Sequence, residues 1–419
     1  MFVGKGGVGK TTLAAKAALD LAETGKRALV VSLDQAHSLA DVFAVAARPG
    51  TRDEIFAVQP GLDVLELDTL RLVESQYTTL TALLSMSGTG HEHGVRFGAV
   101  APEEIIGAPG VQELLGLHQI TQMIDENAWD TIFVDLPSTA EALRTLQLPE
   151  LVCGYLERLW PQHDRIVAGT GSDPRLTVVV AMIERIVADA EAVRTLLFDH
   201  SRTTATVVLT PERMVVAEAR RTMSAAALMG LPIDTVIVNK VLPKLNSSSV
   251  GLVGVHPAVF WFEAWRSAQQ AVLDEIVVLA HGRTLVVVDR AQIDPVGLAS
   301  LGVFDARIGS ADTQSRSGES KIDREFGETH KRSAGKPVVA HESGSGLESI
   351  YTMTMLLPLV DASTLELGRV EDDVIIGADG HRRRVRLASV LRRCEVIGAE
   401  FDAGRLVVRF QPDPSVWPV

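Results

Sequence analysis

The chain has 419 residues, 46% of them apolar, a formal net charge of −13 and two cysteines. That length and apolar content fit two or three folded domains, while the acidic balance excludes nucleic acid as the main partner, because phosphate backbones are bound through basic surfaces. Cys153 and Cys394 have no CxxC or Cys/His spacing around them, which excludes a disulfide framework and a structural zinc and points to a reducing, cytoplasmic setting.

In chain order the first feature is "GKGGVGKTT" at residues 4 to 12, preceded only by Met1, Phe2 and Val3, a short lead for a central strand. No basic segment followed by an apolar stretch stands there, so no secretion signal is expected. "TTLAAKAALDLAETG" (11–25) reads as an amphipathic helix closing on a glycine. "RALVVSLD" (27–34), "LDVLELD" (62–68) and "DTIFVDLP" (130–137) are short apolar runs bounded by polar or turn residues, as strands buried on both faces should be. "TATVVLTP" (204–211), "DTVIVNKV" (234–241) and "RTLVVVDR" (283–290) repeat the pattern, with a helix expected over 211–230. Strand and helix in alternation predict an α/β fold, a mostly parallel doubly wound sheet flanked by helices, over residues 1–305. No run reaches the roughly 18 to 20 apolar residues of a membrane span.

Residues 306–347, rich in Ser, Gly and charges of both signs, read as a disordered linker. Residues 348–419 alternate apolar and polar positions between turn signals and read as a small all-β domain. Arg382, Arg383, Arg384, Arg386, Arg392 and Arg393 make either a basic patch or a strand face paired with the nearby "VEDDV". "GHEHG" (90–94) has two histidines without further ligands and reads as a surface loop.

The opening stretch satisfies G-x-x-x-x-G-K-[ST] with Gly4, Gly9, Lys10 and Thr11. Glycines let backbone N–H groups converge on phosphate oxygens where a Cβ would block them, and the following helix points its positive end at the anion. The expected nucleotide-binding set is Gly6, Gly7, Val8, Gly9, Lys10, Thr11 and Thr12, with ATP as ligand and the Thr11 hydroxyl on Mg²⁺.

"KGGVGKT" also resembles the deviant phosphate-loop ATPases, whose signature is KGGxGK[ST]. In that class the early lysine, here Lys5, contacts phosphates bound by the other subunit, which implies a homodimer. "SLDQAHSLADVF" (32–43) resembles the first switch of the arsenite-pump and tail-anchored-protein targeting ATPases. The resemblance makes Asp34 the group that activates water, although Gln35 stands where the family has proline. "FVDLPSTAEALRTLQLPE" (133–150) resembles that family's second switch, which makes Asp135 a magnesium-supporting carboxylate. Ala140 and Glu141 replace the glycine and histidine of the signature, so slow hydrolysis is one expectation. "VIVNKVLP" (236–243) resembles the strand end whose asparagine reads adenine, here Asn239.

The resemblance implies a Mg-dependent ATPase whose partner is either the hydrophobic helix of a membrane-protein client or a membrane transporter subunit, so that contact at a membrane surface is expected. A holdase with little turnover is the alternative. Metalloid binding needs clustered thiolates, and the ATPase portion has Cys153 alone. A client groove needs an apolar helix face, for which "PRLTVVVAMIERIVADAEAVRTLLF" (174–198) is the candidate. The all-β end resembles the α-crystallin-like domain appended to some members of this family.

Overall fold

The structure is a computed structural model that describes residues 1–34, 38–45, 54–69, 71–72, 110–171, 174–245, 256–280, 282–306, 337–357 and 360–417. The chain forms two compact units, Met1–Asp199 with Ala291–Ile308, and His200–Arg290 with Gly309–Val419.

The first unit opens on β1 (Phe2–Val3), whose two side chains are buried and whose Phe2 pairs in parallel with Asp135. Helix α1 (Lys10–Glu23) follows, with Leu13, Ala14, Ala15, Ala17, Ala18 and Leu19 buried. Its run of alanines lets the helix lie close to its neighbours at little side-chain entropy cost. It ends at Thr24, after which Gly25 takes φ +84, the left-handed conformation that a helix stop of this kind requires.

Then come β2 (Ala28–Ser32), α2 (Leu39–Phe43), β3 (Phe56–Gln59), β4 (Leu62–Glu66), α3 (Val111–Asp125) and β5 (Thr131–Asp135). These strands lie in the order β3-β4-β2-β5-β1. All neighbours run parallel except β3, which is antiparallel to β4. All five residues of β2 are buried, which is why "ALVVS" reads as an unbroken apolar run rather than an alternating one.

Helices α4 (Thr139–Leu159), α5 (Gln162–Gly169) and α6 (Pro174–Leu197) complete the stretch to Asp199. Arg165 is buried on α5, where its Nε donates to Glu184 Oε1 at 2.6 Å and its Nη1 to the Trp160 carbonyl at 2.5 Å. One guanidinium therefore ties the end of α4 to α6. The helix expected to carry a client face, α6, is packed along much of its length: Val180, Ala190, Val193 and Leu197 are buried, and only Leu176 and Ile186 of the expected face are exposed. Exposed apolar side chains stand instead on α4 (Leu151, Tyr155, Leu159) and α5 (Ile166, Val167). The periodicity was right for a helix, but α4, α5 and α3 pack against α6 and take up its apolar stripe.

In the second unit β6 (Ala205–Leu209), α7 (Arg213–Met229), β7 (Ile233–Val241), α8 (Pro257–Leu279) and β8 (Thr284–Asp289) alternate, and β6, β7 and β8 are parallel neighbours. Gly230 closes α7 at φ +81. The chain returns to the first unit as α9 (Leu298–Val303).

The second unit resumes with β9 (Val338–Ser343), β10 (Ile350–Leu356), β11 (Glu366–Val370), β12 (Asp373–Ala378), β13 (His381–Arg386), β14 (Cys394–Asp402) and β15 (Arg405–Pro412). They make two antiparallel sheets, β14-β15-β10-β9 and β11-β12-β13. Strand β9 corrects the expected linker, 306–347, whose last residues are ordered pairing partners of β10. All six of its residues are exposed; an edge strand is held by backbone hydrogen bonds, so its sequence needs no apolar face. Residues 307–336 of that expected linker lie outside the described residues, as does "GHEHG".

The core between these sheets includes Met353, Met355, Ile376, Val385, Leu406 and Phe410, and Leu228 of α7 belongs to it. Arg383 Nη1 donates to the Leu228 carbonyl at 2.5 Å. The other arginines are largely ion-paired: Arg382 with Glu366 at 2.9 Å, Arg384 with Asp373, and Arg392 with Asp372 at 3.9 Å. The paired strand face, rather than a basic patch, describes this run.

Candidate nucleotide site

The loop between β1 and α1 turns on glycines where L-residues are strained: φ is +82 at Gly7 and +95 at Gly9. A Cβ at Gly6 or Gly7 would meet no atom of the described residues within 4 Å, which leaves room there for a ligand. Val8 is buried and anchors the loop, while Lys5, Gly6 and Gly7 are exposed. The buried Lys10 donates from Nζ to the Lys5 carbonyl at 3.4 Å. Thr12 follows in the first turn of α1, half-buried.

The parallel strands β1, β2, β4 and β5 of this unit end at one carboxyl edge, where ligands of open α/β sheets bind. Thr11 Oγ1 donates to Asp135 Oδ2 at 2.6 Å. Asp135 is fully buried at the end of β5, and among the described residues its other oxygen, Oδ1, has no hydrogen-bond partner at normal geometry, as is also true of the buried Thr139 Oγ1 at the start of α4. Burial pushes the Asp135 carboxyl up to about 6, against the lowering effects of the Thr11 hydrogen bond and the Lys10 charge; the nearby Asp34 charge pushes the same way as burial. A carboxylate with an orphaned buried oxygen beside a threonine hydroxyl is a hard-oxygen donor set that fits Mg²⁺.

Asp34 stands just past β2, half-buried, with its N–H donating to Ser32 Oγ at 3.2 Å; the Leu33 N–H donates to the Asp135 carbonyl at 3.0 Å. The three residues that follow, including Gln35, lie outside the described residues. At the start of α2, Ser38 Oγ lies 3.4 Å from Thr11 Oγ1. Thus the first unit brings Lys10, Thr11, Asp34 and Asp135 together, with Lys5 on the loop's exposed side. Asn239 belongs to the second unit, where it is buried near the carboxyl end of β7 and its Oδ1 accepts from the Lys240 N–H at 2.9 Å. Ala140 and Glu141 are exposed in the first turn of α4.

Two contributors were not foreseen from sequence. Ser32 is fully buried beneath Asp34, and Glu66 is a buried carboxylate whose Oε1 accepts from the Ala40 N–H at 2.9 Å. The available signal for Glu66 was an acidic residue closing the strand "LDVLE", on the same face as the apolar Leu62 and Val64.

A parallel α/β sheet with a glycine-rich loop at its carboxyl edge, a buried lysine and a threonine–aspartate pair defines a phosphate-loop nucleotide-binding protein. Within that class the chain belongs to the anion-transporting ATPase family, whose model matches residues 1–309. A model of the HSP20-like domain found in ArsA matches residues 348–410. The chain is 42% identical over 426 residues to Protein Rv2184c of Mycobacterium tuberculosis, covering 100% of this chain and 97% of that one. It is 26% identical to Putative arsenical pump-driving ATPase 1 of Aquifex aeolicus, covering 97% and 98% of the two chains. ATPase GET3B of Arabidopsis thaliana is 28% identical over 59% of this chain and 65% of its own. Membership of this family carries nucleotide binding with it. Among the described residues no helix is long and apolar enough to cross a membrane.

Proposed function

We propose that this protein is a Mg-dependent ATPase that works as a homodimer and couples ATP-driven closure to the binding of a hydrophobic helix from a membrane-protein client. The observation that carries the hydrolytic part is the Thr11–Asp135 hydrogen bond beside an orphaned carboxylate oxygen, at the foot of a loop that holds Lys10. Backbone N–H groups from Gly6 to Thr12 cradle the phosphates and Lys10 meets their terminal oxygens. Thr11 and Asp135 hold Mg²⁺, which supplies charge neutralisation on the phosphates when bound. Asp34 orients the attacking water and accepts its proton, a role within reach of a half-buried carboxylate at a strand end. Lys5, exposed at the loop's apex, neutralises charge on the neighbouring subunit's nucleotide, and Asn239 pairs with the adenine edge.

The client part rests on α4 and α5. Leu151, Tyr155 and Leu159 recur every four residues on α4 and are 55%, 58% and 67% exposed, with Ile166 and Val167 of α5 also exposed. Such an apolar row on one helix face suits a helix-in-groove partner. The family description and the name of the Aquifex relative favour a second reading, an ATPase that energises an anion transporter.

Single-turnover hydrolysis at saturating Mg-ATP tests the enzyme reading; wild-type protein should release phosphate and the Asp34→Asn variant should retain ATP. A wild type that binds ATP without phosphate release leaves a nucleotide-controlled holdase. A labelled apolar helical peptide should bind to the Asp34→Asn protein with ATP, and failure to bind favours the transporter reading.

A further inference from the structure

We infer that Glu66 is a positioning residue for hydrolysis: its carboxylate fixes helix α2, and with it Ser38, against the magnesium-site threonine, Thr11. This rests on the proposed role of Thr11. Glu66 ends β4, directly beside Ser32 of β2 in the parallel register. Its side chain is 8% exposed, and its Oε1 accepts the Ala40 N–H at 2.9 Å in a bond buried on both sides. Ala40 is the second residue of α2, one of the N–H groups at a helix start that has no partner within the helix.

The other end of α2 is tied as well. The Val42 carbonyl accepts from the Gly297 N–H at 2.8 Å, just before α9. Just ahead of both ties, Ser38 Oγ sits 3.4 Å from Thr11 Oγ1, and Thr11 donates to Asp135. Glu66 thus holds α2 two residues past Ser38, and Ser38 stands beside Thr11. The arrangement sets where Ser38 stands against the magnesium-site threonine without Glu66 itself reaching the reacting atoms.

The test uses the full chain with Glu66→Leu, which keeps volume and removes the acceptor, and Glu66→Gln, which keeps an oxygen for the Ala40 N–H. In nucleotide-free protein, hydrogen exchange at the Ala40 amide should be at least about tenfold faster in Glu66→Leu and within about threefold of wild type in Glu66→Gln. Under saturating Mg-ATP, kcat should fall about tenfold or more in Glu66→Leu, with the KM for ATP nearly unchanged and Glu66→Gln retaining most of the rate. Combining Glu66→Leu with Ser38→Ala should add almost nothing to the larger of the two single losses. Equal rates for Glu66→Leu and wild type, or unaltered exchange at Ala40, would overturn the inference while leaving the ATPase reading intact. Absence of turnover in wild type would overturn that reading instead, and the exchange measurement would still decide whether Glu66 holds α2. Should Glu66→Leu fail to fold, Ser38→Ala serves: it keeps the Glu66 tie and cuts the link to Thr11, and a kcat indistinguishable from wild type would refute the route through Ser38.

Discussion

Replacing Asp135 with asparagine should stabilise the nucleotide-free protein at neutral pH, although it removes a site carboxylate. Asparagine matches the shape, offers an oxygen to the Thr11 hydroxyl and carries no charge. Asp135 is fully buried and its carboxyl is pushed from an ordinary 3.8 up to about 6. The sign follows from proton binding: a raised carboxyl pKa means that the folded state holds its proton more tightly than the unfolded chain does. The wild type is thus favoured at acid pH and loses that advantage as pH rises through about 6. The buried charge should therefore favour Asp135→Asn by a few kcal/mol at pH 7.5, a gap that narrows as pH falls below about 6 and is smallest near pH 4. For a domain of this size each kcal/mol moves the melting midpoint by about 2 to 4 °C. Paired thermal melts of the two proteins from pH 4 to 8, without nucleotide and in a chelator, read this out. A gap that does not change with pH, or a less stable variant at pH 7.5, would refute the account of Asp135 as a carboxylate strained by burial. Added Mg-ATP should reverse the order, because it binds and stabilises the wild type and finds no anionic ligand in the variant.

Three further outcomes are expected. Lys5→Ala should lower kcat by about two orders of magnitude or more, as loss of a charge supplied in trans does, while the ATP affinity measured by calorimetry stays within a few-fold. Leu151→Ser with Leu159→Ser should leave the melting curve nearly unchanged, since both side chains are exposed, yet weaken binding of an apolar helical peptide about tenfold or more in an anisotropy titration. Arg165→Ala should destabilise the first unit by about 1 to 3 kcal/mol in urea melts. Its partners Glu157 and Glu184 are partly exposed and rehydrate when it goes, so the loss comes mainly from the Trp160 carbonyl and the vacated space.

The central strands of both units were legible because burial on both faces leaves an apolar run, and "ALVVS" and "ATVVL" show it. Edge strands left no such trace. The partly exposed "FAVQ" of β3 and the wholly exposed "VVAHES" of β9 are held by backbone pairing with β4 and β10. The phosphate loop was legible because its glycines answer to backbone geometry, as Gly7 and Gly9 show. What failed was the assignment of exposed faces. Helices α4 and α6 have similar apolar periodicity, and which one keeps its stripe uncovered depends on the packing of α3, α4 and α5 against α6, information that no single segment contains. Glu66 was hidden for a related reason: a charge in a strand reads as solvent-facing until its partner N–H, 26 residues away, is known.

The charges around the loop bear on why magnesium and nucleotide should act together. Asp34 and Asp135 stand close enough that the Asp34 charge raises the Asp135 pKa, and Lys10 opposes them from within the loop. A bare polyphosphate brought to this edge would face both carboxylates, and Asp135 would take up a proton in preference to sharing the space with more negative charge. A divalent cation on Thr11 and Asp135 removes that conflict by favouring the ionised carboxylate and the phosphate at once. Linkage then requires each to tighten the other by the same factor. In Asp135→Asn protein the coupling should shrink, because the variant has no burial-strained charge for the metal to relieve.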